Sequence, residues 1–98
     1  GGDDNDHVQN SMQMIEALIQ ANKQFDIVVA NILPHVLLPN AQRIIDTMKK
    51  GENTKLILSG ILNDQYKNLR TEFCALGLKE VESGVLGTWT TGCFAFAN

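Results

Sequence analysis

Asn31 is the residue best placed for chemistry. It follows the run Phe25-Asp26-Ile27-Val28-Val29-Ala30, which is β-branched and aromatic apart from Asp26. Such a run is too short and too stiff to favour helix and reads as a strand. A nearly continuous apolar strand is expected to be covered on both faces, as in parallel α/β sheets. In open parallel sheets, ligands bind just beyond the carboxyl ends of the strands. A carboxamide at that place is a candidate site residue. Asn also favours turns, so Asn31 can equally be a cap on the turn that follows.

Other reactive side chains are less well placed. His7 and His35 have no second ligand at metal spacing, so no metal site is expected. Cys74 and Cys93 match no CxxC or zinc pattern and are expected to be reduced thiols. Asp3, Asp4, Asn5 and Asp6 form an acidic loop, which suits the positive end of a following helix. Lys49 and Lys50 are accounted for as cations at a helix end, with Gly51 as its terminator.

These residues need elements to carry them. Asp6 with Gln9 resembles a capping box, and Val8, Met12, Ile15, Leu18 and Ile19 make the apolar stripe of a first helix. After the strand at 25–30, Pro34 and Pro39 bracket a helix entry. The helix begins near Leu38, or a short turn from Pro34 precedes it. Leu37, Ala41, Ile44, Ile45 and Met48 form its stripe. Thr54 to Leu58 is a second strand, ending in Ser59-Gly60-Ile61-Leu62. Asn63 is a good N-cap for a third helix, which carries Tyr66, Leu69, Phe73 and Leu76 and closes at Gly77.

Leu78 to Ser83 and Thr88 to Ala97 are the last strands, joined through 84–87. In the final one, Trp89, Thr91, Cys93 and Ala95 share one face, and Thr90, Gly92, Phe94 and Phe96 the other. Gly92 marks a weak point or a bulge. Alternating helices and strands imply parallel crossovers, and the closing pair implies an antiparallel hairpin. The expected fold is α/β: a mixed sheet of about four strands, a parallel pair plus a C-terminal hairpin, flanked by helices.

The chain has 98 residues, 44% hydrophobic and 19% charged, which fits one globular domain or part of one. The net charge of −3 suggests no general nucleic-acid surface. No apolar run is long enough to span a bilayer and no signal-peptide pattern opens the chain, so a cytoplasmic setting is expected.

Three stretches resemble a known family. FDIVVANIL at 25–33, LILSGIL at 56–62 and Gly77 through Trp89 look like the C-terminal half of the ribosomal-protein methyltransferases that modify protein L11. The resemblance covers roughly 25–97. It implies a Rossmann-like class I methyltransferase sheet that binds S-adenosylmethionine. It also implies that this chain carries the fourth to seventh strands, with the seventh antiparallel between the fifth and sixth. Residues 1–98 would be a single partial domain, with 1–24 a loop and helix and 25–98 the family-like region. The family's glycine-rich cofactor loop and its ribose-binding acid have no counterpart here, and no GxGxG occurs.

By the same resemblance, the reaction is methyl transfer from a sulfonium to an amine of a ribosomal protein. Asn31 is the expected catalytic residue, its carbonyl aiming the amine lone pair. Asn31 and Ile32 offer backbone carbonyls for the remaining protons and count among the cofactor-binding candidates. Asp3 joins them because Gly2-Asp3 matches the Gly-Asp that ends the family's third strand near the adenine. Leu33 and Pro34 shape the substrate pocket. Three readings follow: a methyltransferase fragment inactive alone, a complementing subunit, or a non-catalytic interaction module. The strand at 25–30 would lack its family neighbour, and an open apolar edge invites self-association through a dimer or a strand rearrangement.

Overall fold

The computed structural model describes residues 24–97. The expected first helix, its capping box and Asp3 lie outside the described residues. Four strands form one sheet: β1 (Ile27–Ala30), β2 (Lys55–Leu62), β3 (Leu78–Leu86) and β4 (Trp89–Phe96). Their order is β1-β2-β4-β3, with β1 parallel to β2 and β4 antiparallel to both of its neighbours. The last strand therefore sits between the second and the third, as the expected topology requires.

The helices are α1 (Pro34–Leu37), a 3-10 turn (Leu38–Asn40), α2 (Ala41–Asp46) and α3 (Asn63–Ala75). Successive crossovers from β1 to β2 and from β2 to β3 step in one direction along the sheet, so their helices pack on one face. Val28 and Ala30 stand opposite Leu56 and Leu58. These two in turn stand opposite Phe94 and Gly92. Leu37, Ala41, Ile44, Ile45, Leu69 and Phe73 complete that core from the helices. Phe73 and Phe94 meet as tilted rings with centroids 6.3 Å apart.

The other face of the sheet is open among the described residues. Ile27 is 64% and Val29 61% exposed, so the described residues cover β1 on one face, where two covered faces were expected. The apolar run of β1 is continuous, yet only its Val28 and Ala30 side is packed.

Three local expectations are corrected. The second helix ends at Asp46 rather than at the lysine pair. The Thr47 hydroxyl donates to Ile44 O at 2.6 Å, and Met48 then leaves the helix to bridge Phe25. Lys49 N–H donates to Phe25 O at 2.8 Å, so the chain is already extended there and Gly51 ends no helix. Asn63 does not cap α3, because Leu62 occupies the N-cap position. The Asn63 amide instead donates to Gly87 O at 3.1 Å and accepts from the Thr90 hydroxyl at 2.6 Å, tying the helix start to the β3–β4 turn.

Gly92 is not bulged. The bulges lie across from it, on β2 between Leu58 and Ile61 and on β3 between Glu80 and Glu82. Gly92 is required because the Tyr66 phenol lies directly on it, where a Cβ would collide with the ring. Tyr66 then donates a hydrogen bond to Glu80 of β3.

Candidate functional site

β1 ends at Ala30, whose side chain is buried with the core. By strand alternation the next side chain, Asn31, turns to the open face. It lies exposed at the carboxyl end of the parallel pair. β2 runs on past the end of β1, and its bulge falls beside Asn31. Gly60 adopts φ +72° there, a conformation that a side chain disfavours. A Cβ on Gly60 would occupy the place of Asn31 Oδ1. The glycine thus opens the space in which the carboxamide stands.

Ile32 turns inward and packs on the edge of the core. Leu33 is the N-cap residue of α1, with its side chain exposed, and its carbonyl accepts from Val36 at 2.9 Å and Leu37 at 3.0 Å. Pro34 opens α1, where its missing N–H leaves no helical bond unmade. Asn31, Ile32, Leu33 and Pro34 are therefore one continuous turn at the rim of the sheet. Across the strands, the Asn31 carboxamide has Gly60 as its neighbour. Asp3 lies outside the described residues.

Gly60 was not recognisable as a site residue from composition alone. Its signal is a glycine between Leu58 and Ile61, in a stretch that otherwise reads as strand. The residues flanking the rim on the hairpin side were also missed. Leu62 pairs with Trp89, which pairs with Leu86, so these three form one cross-strand row. Their neighbours Ile61 and Thr90 are buried on the helix side, so the row belongs to the open face with Asn31.

Tyr66 is strongly affected by its surroundings. Burial, then its hydrogen bond to Glu80 and the charge of that carboxylate, hold the phenol well above the ordinary tyrosine value. It belongs to the packing of α3 on β4 rather than to the rim. The rim can bind and orient a ligand by hydrogen bonds and apolar contact.

Beside β1, an apolar recess of about 230 Å³ is lined by Phe25, Ile27, Val29, Ile32, Ile44 and Thr47 among others. No helix of the described residues is long and apolar enough to cross a membrane.

Comparison with known proteins gives a consistent result. A family model described as "Ribosomal protein L11 methyltransferase (PrmA)" matches residues 3–95. A ribosomal protein L11 methyltransferase of Agathobacter rectalis is 39% identical over 67 residues, covering 68% of this chain and 20% of that protein. One from Herpetosiphon aurantiacus is 34% identical over 68 residues, covering 69% of this chain and 21% of that protein. The chain thus spans about a fifth of the length of these relatives. The crystal structure of a ribosomal protein L11 methylase from Lactobacillus delbrueckii subsp. bulgaricus superposes with a TM-score of 0.71 at 22% identity, over 83% of this chain and 41% of that one. That last likeness is one of fold.

Proposed function

We propose that this chain, which belongs to the ribosomal protein L11 methyltransferase family, forms the amine-positioning part of a methyl-transfer site. It is read as a single partial domain, the C-terminal half of a class I methyltransferase domain. One observation carries the reading. The carboxamide of Asn31 stands at the carboxyl end of the parallel strands, in space that Gly60 leaves free.

The residues present fit the transfer end of S-adenosylmethionine and not the rest of it. Asn31 and the turn to Pro34 offer hydrogen-bond acceptors and an apolar wall. Among the described residues no acid lies at the end of β1 to hold a ribose, and no glycine-rich loop occurs to hold a methionine tail. When bound, S-adenosylmethionine supplies an electrophilic methyl group.

Asn31 is the proposed catalytic residue. Its Oδ1 accepts a hydrogen bond from the neutral amine of a ribosomal protein and aims the nitrogen lone pair. The backbone carbonyl of Asn31 or Ile32 accepts the second N–H, which leaves the lone pair free toward the methyl carbon. Leu33 and Pro34 wall the pocket and restrict the amine to one approach. The contribution is one of orientation, which lowers an entropic barrier once the amine has given up its proton to solvent. The free thiols of Cys74 and Cys93 fit a reducing, cytoplasmic setting.

In a complete methyltransferase domain that carries this segment, Asn31→Ala should lower turnover at least ~100-fold, as misplacing a reacting group does. The side chain is exposed, so stability should change by less than ~0.5 kcal/mol. Methyl incorporation into the ribosomal protein is the measurement, and unchanged turnover refutes the assignment.

The alternative reading, a complementing subunit or interaction module, has its own observation. β1 is an edge strand in the described sheet, with Ile27 and Val29 exposed and the apolar recess beside it. Such an edge is a template for another strand. The chain alone should therefore be inactive and should self-associate through 25–30. Mass in solution and amide exchange check this. A clean monomer with fast exchange throughout Ile27–Ala30 would exclude association at that edge.

A further inference from the structure

The hairpin tip is an apolar surface that neither the core nor the proposed transfer step uses. Leu86 is 84% exposed, Trp89 51% and Leu62 38%, in one row across β3, β4 and β2. Leu33, 55% exposed, stands beyond Asn31 on the other side of the bulge. Large apolar side chains gathered at one rim are uncommon on a settled surface and mark sites of interaction.

The tip is also held rigidly. Asn63 N–H donates to Thr88 O at 3.0 Å, and the Asn63 side chain grips Gly87 O and the Thr90 hydroxyl. These bonds fix Leu86 and Trp89 relative to β2, and so relative to Asn31.

Charge identifies the occupant. The stretches that build this rim, 31–34, 59–64 and 82–92, contain Asp64 and Glu82 but no lysine or arginine. Lys55 and Lys79 lie at the opposite ends of β2 and β3. The rim is therefore apolar with an acidic bias, which suits a cationic chain with apolar flanks and disfavours an acidic one.

We propose that the β3–β4 hairpin tip is the docking surface for an extended polypeptide segment that presents its amine to Asn31 between large apolar side chains. The inference rests on the Asn31 reading and adds a specificity element to it: flanking residues of the substrate are selected by Leu86, Trp89 and Leu62. An aromatic anchor ringed by aliphatic side chains is the composition that recurs in such contacts.

Trp89 is the single tryptophan of the chain and reports on the surface directly. The chain of 98 residues is titrated with short peptides while its tryptophan emission is followed. A peptide with lysine between two leucines should give a saturable blue shift. The same peptide with serine flanks, or with glutamates beside the lysine, should bind at least ~10-fold more weakly, the fold-change that losing one buried leucine contact implies. Leu86→Ser should weaken the leucine-flanked peptide by about tenfold. Leu86 is so exposed that circular dichroism should remain unchanged.

No saturable shift, equal affinity for the serine-flanked peptide, or Leu86→Ser binding within twofold would each overturn the proposal. A blue shift that follows chain concentration without peptide would name a second copy as the occupant, and also overturns it. Methyl transfer by a complete domain is read separately. If Asn31→Ala leaves transfer intact while the peptide docks, the Asn31 reading fails and the docking surface stands. If transfer requires Asn31 yet no peptide docks, the docking surface alone fails.

Discussion

Replacing Gly60 by alanine separates the backbone role of this glycine from its service to Asn31. Two effects follow from the geometry. A non-glycine residue at φ +72° costs ~1–2 kcal/mol whatever surrounds it. The new Cβ also takes the place of Asn31 Oδ1. That second contact is with the far end of a short, exposed side chain, which can rotate away at a cost of under ~1 kcal/mol. The total loss of stability should therefore be ~1–3 kcal/mol. In an Asn31→Ala background it should fall by no more than ~0.5–1 kcal/mol, since only the rotation is saved.

The expected loss in turnover is much larger than that stability loss suggests. A carboxamide displaced by about an ångström no longer aims the amine, and such misplacement costs ~100-fold. Gly77→Ala is the control. Gly77 also has a positive φ, +106°, and a Cβ there meets nothing within 4 Å. It should lose stability in the same manner and leave turnover within about twofold. Urea denaturation of each variant, followed by Trp89 emission, gives the stabilities; methyl incorporation by a complete domain gives the turnover. If Gly60→Ala loses the expected stability but keeps turnover within twofold of the parent, Asn31 is not held by Gly60 for catalysis.

Two further predictions concern the packing beneath the site. Gly92→Ala drives a Cβ into the Tyr66 ring, which is buried at 7% exposure and bonded to Glu80, so the ring cannot swing out as Asn31 can. The cost should be ~2–4 kcal/mol from overpacking and loss of the Glu80 bond, whereas Gly84→Ala on the same hairpin, with open space around it, should cost under ~0.5 kcal/mol; denaturant midpoints compare them. The Tyr66 phenol is raised in the folded state, chiefly by burial, so the native chain holds its proton where the unfolded chain releases it. Its contribution to stability is thus complete below about pH 10 and is lost as pH rises further toward the raised native value. Tyr66 is the single tyrosine, so phenolate absorbance reads it alone: native chain should stay dark at a pH where urea-unfolded chain has titrated, and coincident curves would contradict the burial.

The parts of this fold that could be read from the sequence are those set by local pattern. Alternation and length identify β1 and β2, helical spacing of Tyr66, Leu69 and Phe73 identifies α3, and the short link before Trp89 implies a hairpin. What could not be read depends on residues far apart in the chain. The N-cap chemistry of Asn63 is sound in isolation, but the β3–β4 turn arrives with an unpaired carbonyl at Gly87 and claims its amide. The lysine pair suits a helix end, but Phe25 and Met48 pair first and pull the chain out of the helix. Continuous hydrophobicity in β1 signals two covered faces, while the described residues cover one.

The same distinction explains why Asn31 was visible and its setting was not. A polar residue closing an apolar run marks a strand end from sequence alone. Gly60 lies in another strand, and its meaning comes from the register that sets β1 against β2, with Ala30 opposite Leu58. Were β2 paired one residue further along, Gly60 would stand opposite a different side chain and the bulge would serve no ligand. The bulge absorbs one extra residue between Leu58 and Ile61 and so allows two requirements to be met together. Leu56 and Leu58 stay in the core on one side of it, and Ile61 returns to that core on the other. Between them a single glycine gives the open face a gap wide enough for a carboxamide. A sheet without the bulge would bury the same leucines, but a side chain in place of Gly60 would meet the Asn31 carboxamide, so the bulge and its glycine are what leave that carboxamide room.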